Sequence, residues 1–68
     1  MNKQYKYEVA FYAEELLFTI ELDTPLVVDC EHEDNVHTII DMAIEIAKLQ
    51  KGNSVMDSVQ DVALQEVE

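Results

Sequence analysis

Between Asp29 and His37 the chain reads DCEHEDNVH, its densest run of side chains able to do chemistry. A thiolate, imidazoles and carboxylates are the donor set of zinc and related transition metals, and Cys30, His32 and His37 would supply three ligands. Their spacing matches no standard zinc finger or metalloprotease helix. The ordinary alternative is an acidic helix start preceded by a small buried cysteine at the end of a strand.

Other constellations are poorer still. Ser54 and Ser58 lack the Gly-x-Ser-x-Gly elbow that exposes a nucleophile. Gly52 is the sole glycine, which excludes a glycine-rich phosphate loop. Carboxylate pairs are unavoidable in so acidic a chain, so their presence argues nothing for acid/base catalysis. The alternating tyrosines and phenylalanines could stack bases, but no basic residues accompany them to hold a nucleic acid backbone. The expectation is a protein with no catalytic site and no cofactor, and no motif identifies a family.

Charge narrows the partners. Four Lys plus Arg against fifteen Asp plus Glu give a formal net charge of −11, which repels nucleic acid phosphates and anionic membranes. Direct nucleic acid binding and membrane binding are not expected. No leader-like segment and no apolar run near ~18 residues is present. One cysteine, Cys30, allows no internal disulfide, and a cytoplasmic location is the simplest reading.

The element that must organise these residues is a helix over Asp34 to Gly52. On a wheel of 100° per residue Val36, Ile39, Ile40, Ala43, Ile46 and Ala47 share one face, with Met42 and Leu49 on one rim and Ile44 on the other. The polar stripe of His37, Thr38, Asp41, Glu45 and Lys48 is narrow, about 100°. Asp34 or Asn35 can cap the start, Lys48 and Lys51 suit the negative end, and Gly52 with Asn53 can close it in a left-handed conformation.

Before the helix, Tyr5 to Tyr12 and Leu16 to Asp23 both alternate apolar and polar, as half-buried strands do. Facing Phe11 with Phe18, Val9 with Ile20 and Tyr7 with Leu22 puts Leu16, Phe18, Ile20 and Leu22 on the face of Tyr5, Tyr7, Val9 and Phe11. The same register sets Lys6 against Asp23 and Glu8 against Glu21, and leaves Ala10, Tyr12, Leu17 and Thr19 as an outer patch. With no Asn-Gly or Asp-Gly, a loose loop over Ala13 to Leu16 is expected rather than a tight primed turn. Thr24-Pro25 ends the second strand, and Leu26 to Cys30 reads as a short third strand or an extension of the second past a bend. The tail fits two patterns, Val55, Val59 and Val62 having helical spacing and Val62 and Leu64 alternating as in a strand. It is read as a turn or short helix over Ser54 to Val59 and a strand over about Asp61 to Val67.

The predicted fold is a single two-layer α+β domain over residues 1–68, in the order β-β-(β)-α-β, with the helix across one sheet face. A disulfide-free core of this size is thin, and one helix rim should be left uncovered. Self-association through Met42, Ile44, Leu49, Tyr12 and Leu17 is therefore the leading expectation of function. Its rival is an acidic mimic of nucleic acid that occupies the groove of a basic partner, with Glu8, Glu14, Glu15, Glu21, Asp23, Glu31, Glu33 and Asp34 imitating phosphates. Mimicry needs carboxylates in rows on one convex surface.

Overall fold

A computed structural model describes residues 3–67. The strands β1 (Tyr5–Tyr12), β2 (Leu16–Thr24) and β3 (Asp61–Val67) form one antiparallel sheet in the order β2-β1-β3. The long helix α1 (Asp34–Lys51) lies across one face, and the short α2 (Asn53–Asp57) links it to β3. The architecture is α+β, as the alternation and the helical period require.

The register follows from burial. Tyr7 faces Leu22, Val9 faces Ile20 and Phe11 faces Phe18, so both apolar rows fall on the side of α1. β3 continues that side with Val62 opposite Phe11 and Leu64 opposite Val9. The core is Tyr7, Val9, Phe11, Ile20 and Leu22 from the sheet with Ile39, Ala43 and Ala47 from the helix. Phe11 and Phe18 stack with centroids 4.8 Å apart, a geometry that adds to their area burial. The small side chains of Ala43 and Ala47 let the helix backbone approach the sheet closely.

Four details differ from the sequence reading. First, the hairpin register breaks between Phe11 and Tyr12, where Tyr12 pairs with Leu16 and Leu17 is left over as a bulge. Among the described residues none other than glycine has positive φ, so Glu14 and Glu15 do not form the primed turn that would preserve the pairing. A loop over residues 13–15 closes the hairpin instead, with the Ala13 N–H donating to the Glu15 carbonyl at 3.0 Å. Leu16 is thereby moved opposite Tyr12, away from the core row, and is 54% exposed.

Second, Leu26 to Cys30 forms no strand. The segment crosses from the end of β2 to the start of α1, and Leu26 and Val28 pack on the core as loop residues. Its carbonyls are satisfied by side chains: the Tyr7 hydroxyl donates to the Leu26 carbonyl at 2.9 Å and Asn35 Nδ2 to the Val27 carbonyl at 2.6 Å. Third, neither Asp34 nor Asn35 caps α1. Glu33 occupies the cap position in helical geometry with no side-chain cap, because a preceding turn at residues 29–32 already leads into the helix and Asn35 is committed to Val27.

Fourth, Gly52 alone closes α1, at φ 88° and ψ 162°, and its N–H donates to the Lys48 carbonyl at 3.1 Å. Asn53 has no positive φ and begins α2. The φ, ψ pair of Gly52 is accessible essentially to glycine alone. A Cβ there would meet no atom within 4 Å, so the requirement is torsional rather than steric crowding. Gly52→Ala should destabilise the fold by about 1–3 kcal/mol, read as a lower midpoint in urea at unchanged slope.

Candidate functional site

The residues named for chemistry lie on the loop that enters α1, and Asp29 organises it. Asp29 Oδ1 accepts from the N–H of Glu31 at 2.9 Å and of His32 at 2.8 Å. It also lies 2.8 Å from His32 Nδ1. An ionised carboxylate can only accept, so Nδ1 carries the hydrogen in that contact. The carboxylate thus holds the turn that precedes the helix, whereas the cap expected of Asp34 or Asn35 is not made.

These bonds hold the Asp29 carboxyl below the ordinary aspartate range, the hydrogen bond to the His32 side chain being the largest cause and desolvation acting the other way. Because the folded-state pKa lies below the unfolded one, the stabilisation is present above the ordinary aspartate range. It is lost as pH falls through the folded value. Replacing His32 by alanine should raise the Asp29 pKa toward its ordinary value, with the change read from the carboxyl carbon in an NMR titration. An Asp29 titration unmoved by the substitution would contradict the assignment of the imidazole as the main cause.

Cys30 is exposed, contrary to the expected buried thiol, because the segment that would have buried it is a loop and not a strand. His32 and His37 are exposed too. Among the described residues no three His, Cys, Asp or Glu side chains stand together as a metal-holding group. Ser58 lines a shallow hollow with Ala13, Glu14, Glu15, Leu17 and Gln60, which brings no imidazole to it.

The carboxylates surround the molecule. Exposed acids sit in the hairpin loop at Glu14 and Glu15, on β2 at Glu21 and Asp23, and in the loop before the helix at Asp29, Glu31 and Glu33. Others lie on the solvent side of α1 at Asp41 and Glu45, and at Asp57 and Asp61 near β3. Such a distribution spreads the acids over the sheet, the helix and their connections.

The apolar candidates separate clearly. Ile44 packs against the core, whereas Met42 is 37% and Leu49 88% exposed. Of the two helix rims, the one carrying Ile44 is packed and the one carrying Met42 and Leu49 is exposed. On the outer sheet face Tyr12 is half-buried and Leu17 43% exposed, and Ala10 is shielded between Thr19 and Ala63, its partners on either side. Two exposed apolar residues went unforeseen, Leu16 and Val55. For Leu16 the signal was available, since a hairpin without turn-forming residues invites a register shift at its closed end.

No helix among the described residues is long and apolar enough to cross a membrane. Comparison with protein-family models, with curated proteins and with solved structures finds no match in any of the three. The functional reading therefore rests on the chain's own residues.

Proposed function

We propose that this chain is a non-enzymatic interaction module whose working form is an oligomer of itself, in the cytoplasm. The observation that supports it is the placement of large apolar side chains outside the core: Leu16 and Leu17 on β2, Met42 and Leu49 on α1, and Val55 on α2. Scattered exposed leucines are normal on any surface. Here they occur on a 68-residue chain whose sheet has a helix on one face only, and small cores without disulfides gain most from a partner that completes them.

Because folding of an oligomer is coupled to association, the melting temperature should rise with protein concentration. Two copies of a chain carrying −11 repel each other, so added salt should tighten the association. Binding to a basic partner by charge mimicry has the opposite dependence and weakens with salt. Melting curves over a concentration series at low and high salt test both signs at once. A melting temperature independent of concentration contradicts self-association.

A further inference from the structure

We propose that two copies join edge to edge through β2, antiparallel about a two-fold axis at Ile20, to make one continuous six-stranded sheet. This rests on the reading of the chain as a self-associating module and says where the copies meet. Among the described residues β2 pairs with β1 alone, so one side of a nine-residue strand presents an unused row of backbone donors and acceptors. Of the usual edge protections the strand carries no lysine and no internal proline; its charges are Glu21 and Asp23, and its bulge at Leu17 lies close to one end.

Which backbone groups face outward follows from the ladder. The Gln60 N–H donates to the Tyr12 carbonyl at 2.7 Å, so the Tyr12 backbone is turned toward β3. Backbone groups alternate sides along a strand, which turns Phe11, Val9 and Tyr7 toward β2. Their partners Phe18, Ile20 and Leu22 are then turned toward β1, and Thr19, Glu21 and Asp23 present their N–H and C=O groups to the open side.

The charge pattern selects the partner and the register. Ile20 is the midpoint of Leu16–Thr24, so pairing about it overlaps the whole strand. Phe18 then stands opposite Leu22 of the second copy and Ile20 opposite its counterpart, and the core row runs on unbroken across the axis. Phe18 is only half-buried within one copy. Thr19 faces Glu21 and Leu17 faces Asp23, so no carboxylate meets another. Centring on Glu21 would set that carboxylate against itself, and centring on Thr19 shortens the overlap. The other edge, β3, is shorter, with Val62 and Leu64 on its core row.

The test reverses one charge. Thr19 is exposed within one copy and faces Ala10 on β1, so lysine or glutamate there leaves the core untouched. About Ile20, Thr19→Lys places an ammonium opposite Glu21 twice, once on each side of the axis, and Thr19→Glu places a carboxylate there twice. The dimer dissociation constants of the two variants, measured by sedimentation equilibrium, should differ by about tenfold or more, lysine tighter than wild type and glutamate weaker. Thr38→Lys and Thr38→Glu, on the exposed side of α1, change net charge equally and should differ much less.

Adding Glu21→Lys to Thr19→Glu should restore the affinity lost by the single change, which separates a broken pair from a damaged fold. Equal responses at positions 19 and 38 overturn the β2 edge as the contact while leaving self-association standing. Weakening by both lysine and glutamate at position 19 overturns the centring on Ile20. A wild-type chain that stays monomeric throughout overturns the self-association reading itself.

Discussion

Replacing Phe11 by alanine should leave the chain largely unfolded at room temperature. Phe11 is fully buried on the middle strand, near its hairpin end, between Phe18 on β2 and Val62 on β3, and removal of such a ring costs about 3–5 kcal/mol. A disulfide-free core of this size supplies about the same amount in total. Phe18→Ala should cost distinctly less, because Phe18 is only half-buried and lies on the outer strand. Far-UV circular dichroism at low concentration checks both. A native spectrum for Phe11→Ala would mean that the sheet does not depend on this ring.

The second large effect lies on the helix, where two neighbouring residues should respond oppositely. Ala43 is fully buried against the sheet, and Ala43→Asp would place a carboxylate there with no cation facing it. An uncompensated buried charge costs several kcal/mol, on the order of 3–5, again comparable to the whole stability. Met42→Asp, one position earlier on the exposed rim, should leave the folded spectrum intact. Amide NMR spectra of the two variants distinguish them directly. Tolerance of the Ala43 variant would mean that α1 presents a different face to the sheet, and collapse of the Met42 variant that this rim is covered, by the sheet or by a partner copy.

The parts of this fold legible in the residues are those in which periodicity and burial coincide. Tyr7, Val9 and Phe11 share a face with Ile20 and Leu22 in the observed register, and a slip of one residue would send an apolar row to water. The helix was legible for the same reason, and the last strand only in part, because Val55, Val59 and Val62 also have helical spacing.

The Leu26 to Cys30 segment misled because an apolar, β-branched run signals burial, not hydrogen bonding. Its burial comes from Leu26 and Val28 lying over the core, while Tyr7 and Asn35 take the carbonyls a strand partner would have used. That exchange is a tertiary arrangement that no local window contains. The rims of the helix were half legible: the wheel shows that Met42 and Ile44 diverge, but which of them the sheet covers depends on how the helix lies across it. The loop chemistry read from Cys30, His32 and His37 dissolved because residue type alone does not bring side chains to a common point.

The central claim is that the folded unit is made of more than one copy, and sedimentation velocity of the wild-type chain from low to high micromolar concentration tests it most directly. The expected result is a concentration-dependent shift from a 7.8 kDa species toward twice that mass, stronger at high salt. A single monomeric boundary at every concentration and salt would contradict it and show that the chain completes its own core.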